Sequence, residues 1–266
     1  MKSRLFAPLL AAACVAIVTA AIAQSPAPPA FQGYLSPGAA PDTLRILPPP
    51  PKPGSEREAG DRAVFAATRA LNGQPRWTLA TEDANLAQGA DFFSCAVGAR
   101  LDPASTPVLG QILRRVARDT GPVTDPPKNH YQRRRPYTVS GATSAPVCVP
   151  KSDALTQNPS YPSGHSSLSW TWGLILAELA PDRATEILAR ARSIGDSRVV
   201  CGVHYLSDIE AGRTTGAALV AALHGNADFR ADMERARTEL AALRAGAHGA
   251  PANCAIQNAA ADHPPY

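Results

Sequence analysis

Three short polar segments hold the residue types that could do chemistry. The first runs Lys128-Asn-His-Tyr-Gln-Arg-Arg-Arg135-Pro136. Pro126 and Pro127 suit a helix start and Pro136 suits its end, so the sequence predicts a helix over 126–135. Lys128 and Arg135 are seven residues apart, and seven helical steps return to within about 20° of the starting direction. A compact ammonium and a planar guanidinium aimed the same way make an oxyanion clamp. Arg133 and Arg134 read as the solvated remainder of a basic helix.

The second segment, Ser160-Tyr-Pro-Ser163-Gly164-His165, leads directly into an apolar run. A helix starting there offers free N–H groups and a partial positive charge to a phosphate. Gly164 would let the backbone approach closely, Ser163 adds a hydroxyl, and His165 could hold a proton over the bound group. The third segment, Ser197-Arg198-Val-Val-Cys-Gly202-Val-His204-Tyr-Leu-Ser-Asp208, places a histidine and a carboxylate four residues apart. If Gly202 breaks one helix and another opens near His204, Asp208 stacks on His204. It can then accept a hydrogen bond from one ring nitrogen, which fixes the tautomer and leaves the other nitrogen as a nucleophile. His165, His204 and Asp208 could also be read as metal ligands, but Lys128, Arg135 and Arg198 would repel a cation and attract an anion. The expectation is an anion site with no metal and no cofactor.

The elements that must position these residues read as helical. Ser55-Glu56-Arg57-Glu58 fits a capping box opening a helix to about Leu71. Helical patterns follow near 81–90, 105–119, 126–135, 166–180, 182–196, 204–224 and 228–245. No alternating strand segment or fixed repeat is evident, so the fold class is all-α, a single domain over 55–246. Residues 24–54 are proline-rich, with Pro48 to Pro51 consecutive, and should run extended over the surface. Residues 247–266 read as a loose C-terminal tail except where Cys254 ties it down.

The start of the chain reads as a signal peptide over 1–23. Lys2 and Arg4 precede an apolar run from Leu5 to Ala23, and Ala21-Ile22-Ala23 is a small-x-small cleavage site before Gln24. A lipid anchor on Cys14 is the weaker alternative. Export to the periplasm or the medium follows. No other stretch approaches the roughly 20 apolar residues a bilayer crossing needs, so stable membrane insertion is not expected. Removing Lys2 and Arg4 takes the formal charge from +4 to +2, too mild to suggest nucleic acid as a partner. Self-association into a homo-oligomer stays an open reading.

Together the three segments resemble the signature of the acid phosphatases of the type 2 phosphatidic acid phosphatase superfamily: K-x6-R-P, P-S-G-H, then S-R-x5-H-x3-D. Every fixed position is matched, from Lys128 to Asp208. From about Tyr34 to the last helix the chain is similar to the soluble bacterial class A nonspecific acid phosphatases. Two positions depart from the common pattern, Ser166 for threonine and Tyr205 for tryptophan. The resemblance implies an all-α helical bundle and a small-molecule phosphomonoester as substrate. His204 would form a phosphohistidine, Asp208 would orient it, and His165 would protonate the leaving oxygen. Lys128, Arg135, Arg198, Ser163 and the Gly164 backbone would hold the phosphoryl oxygens. Phosphotransfer to alcohols, a narrower pyrophosphate hydrolase, a vanadium haloperoxidase and a phosphate-binding protein are competing uses of such a pocket.

Four cysteines follow the cleavage site, and an even number in an exported chain favours disulfides over zinc. Three connectivities stay open on sequence grounds. The pairing carried forward is Cys148–Cys201 with Cys95–Cys254.

Overall fold

A computed structural model describes residues 32–36, 38–139, 141–246 and 254–266. The signal peptide expected over 1–23 lies outside them. Within them the chain forms eleven α-helices and no strand. The first three are α1 (Thr43–Ile46), α2 (Glu56–Thr68) and α3 (Pro75–Glu82). Ser55 caps α2 by accepting from the Glu58 N–H, while the Glu58 carboxylate reaches back to the Gly54 N–H at 2.7 Å. The helical pattern expected near 81–90 falls instead between α3 and a 3-10 segment over Leu86–Phe93.

After the short α4 (Ser94–Val97), α5 runs unbroken from Pro107 to Tyr131, although the sequence suggests two helices there. Pro122, Pro126 and Pro127 all lie inside it. A proline at position 127 removes the partner of the Val123 carbonyl. That carbonyl accepts instead from Thr43 Oγ1 at 2.8 Å. Continuous burial of Leu109, Ile112, Leu113, Val116, Thr120, Val123 and Thr124 along one face does the rest.

The remaining helices are α6 (Asp153–Gln157), α7 (Gly164–Leu179), α8 (Ala184–Val200), α9 (Leu206–Leu223), α10 (Ala227–Ala245) and α11 (Cys254–Asp262). Helix α7 is the central one, packed on α8 and α9 and flanked by α5. The core joins Ile112 and Val116 of α5, Ile175 of α7, Ile194 of α8, Leu219 of α9 and Phe229 of α10. Small residues let α7 and α9 approach closely. A side chain at Gly212 would meet the Ser163 carbonyl at 2.7 Å, and one at Gly216 the Ser167 carbonyl at 2.6 Å.

Both ends of the described chain are more ordered than the sequence suggests. Thr43 and Leu47 are buried, and the Pro48 carbonyl accepts from Tyr161 Oη at 2.6 Å. The C-terminal residues expected to be loose form α11. Cys95–Cys254 ties that helix to α4, and Tyr266 Oη donates to Asp196 on α8 at 2.6 Å. No helix among the described residues is long and apolar enough to cross a membrane.

Candidate active site

Helix α5 delivers Lys128 in its last turn, and then ends. Gln132 adopts a left-handed conformation (φ 48°) that stops the helix, and Arg135 follows in extended backbone. The expected helix over 126–135, with Lys128 and Arg135 on one face, is therefore incorrect. The two cations converge because the chain turns back. Arg135 is then fixed by carbonyls: Nε donates to Leu155 and Asn158, both at 2.8 Å, and Nη1 to Val203 at 2.9 Å. Lys128 Nζ donates to the Pro159 carbonyl.

Arg133 also departs from expectation. It is not a solvated residue, for its side chain is only 11% exposed and lies between two carboxylates. Nη2 is 2.7 Å from Asp61 Oδ2, and Nη1 is 2.6 Å from Asp208 Oδ1. Arg134 is exposed, as the sequence suggests. No local signal separates the two arginines, because Asp61 lies on α2, 72 residues away.

Ser163 caps α7, its buried hydroxyl accepting from the Ser166 N–H at 3.3 Å. Gly164 opens the helix, and the space where its side chain would stand is free. The first N–H groups of a helix have no partner within it, so this end can receive an anion. His165 Nε2 is 3.2 Å from the Ala84 carbonyl, which can only accept. Nε2 therefore carries a hydrogen, and Nδ1 is left for a ligand.

In the third segment Arg198 closes α8, and its carbonyl accepts from the His204 N–H at 3.3 Å. His204 lies in the turn before α9, not on the helix, because Tyr205 is the cap residue and Leu206 the first helical one. The expected pairing with Asp208 is nonetheless present. Asp208 Oδ2 is 3.3 Å from His204 Nδ1 and accepts from the Tyr205 N–H at 2.9 Å. Arg135 Nη1, which can only donate, is 3.0 Å from His204 Nε2. This fixes the tautomer: hydrogen on Nδ1, lone pair on Nε2. The Asp208 carbonyl accepts from the Ser163 N–H at 3.0 Å and joins the second segment to the third.

The turn from Arg198 to His204 has its own supports. Gly202 sits at φ 78°, beside Arg69. Arg69, which no sequence pattern marks, donates to the carbonyls of Val199 at 2.7 Å and Val200 at 2.6 Å. Cys201 is bonded to Cys148, so both expected disulfides are present.

The electrostatics are those of an anion site. Lys128, Arg135 and Arg198 are 7%, 4% and 3% exposed, and among the described residues none forms an ion pair with a carboxylate. Nε and Nη1 of Arg198 have no hydrogen-bond partner there at all. Burial and the neighbouring Arg135 pull Lys128 down to about 8, and the same causes pull Arg198 down to about 10. Burial and Arg135 hold His204 well below the usual imidazole range; burial and Arg198 do the same to His165. A bound anion would relieve each of these penalties. The described residues contain no group of three His, Cys, Asp or Glu able to hold a metal ion.

Comparison with known proteins identifies the family of the chain. The family model of the PAP2 superfamily matches residues 109–230, which include all three segments. An acid phosphatase of Zymomonas mobilis is 44% identical over 192 residues, covering 71% of this chain and 72% of its own. A non-specific acid phosphatase of Providencia stuartii is 37% identical over 201 residues, 74% of this chain and 80% of its own. A third, from Salmonella typhi, is 34% identical over 230 residues, 84% and 86% of the two chains. A matching family model, relatives of this identity and coverage, and a buried cluster of unpaired cations beside a histidine–aspartate pair converge: the chain belongs to the acid phosphatases of the PAP2 superfamily.

Proposed function

We propose that this enzyme hydrolyses a broad range of phosphate monoesters through a phosphohistidine on His204, and that alcohols can replace water as acceptor. The observation that carries the reading is Arg198, a buried guanidinium whose Nε and Nη1 have no partner beside two further cations free of carboxylates. Buried N–H groups left unmet are costly, and phosphoryl oxygens would satisfy them.

In the first step the lone pair of His204 Nε2 attacks phosphorus in line, and the bond to the leaving oxygen breaks. A proton on His165 Nδ1 passes to that oxygen. His204 keeps its Nδ1 hydrogen on Asp208 and becomes a phosphorylated imidazolium. In the second step water attacks phosphorus, gives its proton to His165, and the N–P bond breaks. Lys128, Arg135, Arg198, Ser163 and the Gly164 N–H hold the equatorial oxygens throughout. Phosphoryl transfer asks chiefly for positioning and charge stabilisation, which these fixed donors supply.

The same electrostatics favour acid pH. His204 is held well below the usual imidazole range, so it stays a free base in acid, whereas His165 needs acid to gain the proton it donates. The protein would act outside the cytoplasm after cleavage behind Ala23, with 55–246 as its catalytic domain.

The test combines activity and labelling. Hydrolysis of p-nitrophenyl phosphate should resist EDTA and be blocked by vanadate. Radiolabelled substrate should leave an acid-labile, alkali-stable phosphoryl group on the wild type and none on His204→Ala. Wild-type turnover by His204→Ala would overturn the mechanism.

A further inference from the structure

We infer that Arg133, anchored by Asp61, is a positioning residue for the reaction: it fixes the Asp208 carboxylate that orients His204. The inference rests on the histidine mechanism proposed above.

The two oxygens of Asp208 have separate tasks. Oδ2 receives His204 Nδ1 and the Tyr205 N–H, and Oδ1 receives Arg133 Nη1 at 2.6 Å. Holding both oxygens fixes the plane of the carboxylate, and with it the direction from which Oδ2 meets the imidazole. Arg133 is itself fixed at several points. Its Nη2 meets Asp61 at 2.7 Å, its Nη1 also meets Ser207 Oγ at 2.7 Å, and its guanidinium lies 4.3 Å over the Tyr205 ring. Asp61 in turn accepts from the Ser207 N–H at 2.9 Å and from Ser207 Oγ at 2.5 Å, at the start of α9.

The charges suit the chemistry. Asp61, Arg133 and Asp208 carry one net negative charge between them (−1 + 1 − 1). His204 gains one positive charge as it is phosphorylated, and the Asp208 carboxylate beside its Nδ1 stabilises that charge. Removing Arg133 would leave Asp208 Oδ1 unmet in the interior and the carboxylate free to rotate away from His204 Nδ1. Arg133 also joins the three segments: its carbonyl accepts from the Ser160 N–H at 2.8 Å, while its side chain reaches Asp208. A buried ion cluster by itself contributes little net stability. The contacts here fall on the atoms that set the nucleophile.

The experiment measures phosphoenzyme formation by rapid quench with a radiolabelled phosphomonoester, together with kcat, KM and Tm, for wild type, Arg133→Met, Arg133→Lys and Asp61→Asn. Groups that orient a functional histidine from the outer shell of metal sites cost about 10- to 100-fold when removed. Arg133→Met should lose a similar factor in the rate constant for phosphoenzyme formation and in kcat, with KM nearly unchanged and labelling still complete. Asp61→Asn should lose less, and Arg133→Lys or added guanidinium with Arg133→Ala should restore part of the rate. A wild-type rate constant per labelled site in both Arg133→Met and Asp61→Asn overturns the inference. So does a loss confined to labelling amplitude that follows the folded fraction, because that is a structural role. If Arg133→Met does not fold, the rate constant of Asp61→Asn decides. Failure of the wild type to label overturns the histidine mechanism instead, so the two failures are distinct.

Discussion

Arg135 Nη1 hydrogen-bonds His204 Nε2 at 3.0 Å, so a cation proposed to hold the phosphoryl group also holds the lone pair proposed to attack it. An arriving phosphomonoester must draw Arg135 onto its oxygens before His204 is free. Arg135→Ala should therefore weaken inhibition by inorganic phosphate. A hydrogen bond to a charged group contributes about 1.5–3 kcal/mol, so Ki should rise roughly 10- to 100-fold. Competitive inhibition in steady-state assays checks this, and an unchanged Ki would remove Arg135 from the phosphate site.

The imidazoles make two pH predictions. Arg198 follows burial as a cause of the low His165 pKa, and it also lowers His204. Arg198→Met should therefore move both limbs of the kcat/KM profile to higher pH while lowering its height. For stability the sign is the reverse of a salt-bridged histidine. Both rings are depressed in the folded state, so the unfolded chain binds more protons once pH falls below about 6.5. Their contribution is present above that pH and is lost as pH falls further. Urea unfolding at pH 7 and pH 5 should show the decline, and saturating phosphate should reduce it.

The two disulfides should differ in consequence. Cys201 sits in the turn between Arg198 and His204, while Cys254 anchors α11. Both close long loops, of 53 and 159 residues, for which chain entropy predicts about 4–5 kcal/mol each. Serine replacement of Cys95 and Cys254 should lower Tm and leave kcat near wild type at a temperature where the protein is folded. Replacement of Cys148 and Cys201 should lower both. Equal kcat losses from the two pairs would show that the turn does not depend on its bridge.

Gly212→Ala tests the packing under the second segment. The added methyl would stand 2.7 Å from the Ser163 carbonyl and 2.8 Å from Ser166 Cβ, so α7 and α9 must separate. Overpacking of this kind costs about 1–3 kcal/mol. The same displacement moves the start of α7, so the affinity for vanadate should fall along with Tm. A fall in Tm with vanadate affinity preserved would mean that the α7 start is held independently of this contact.

Long helix-forming runs bracketed by capping residues, Pro and Gly made the all-α class and α7 to α10 legible to within a few residues. The unbroken α5 was not legible. Pro126 and Pro127 read as a helix start, and it is Thr43, far away in sequence, that supplies a partner for the Val123 carbonyl. The C-terminal helix was hidden for a similar reason, since its support comes from Cys95 and from Asp196 on α8.

At the site, the sequence determined which groups meet: Lys128, Arg135, Ser163, Gly164, His165, Arg198, His204 and Asp208 all come from short segments whose spacing limits what they can reach. What it could not determine is how they meet. Lys128 and Arg135 converge through a reversal at Gln132, and His204 precedes its helix. Arg133 and Arg134 are chemically alike, yet one lies buried between Asp61 and Asp208 and the other in solvent. Local spacing fixes side-chain direction only within one regular element. Burial and partner choice belong to contacts between residues 72 or more positions apart, and those exist only once α2, α5 and α9 have packed.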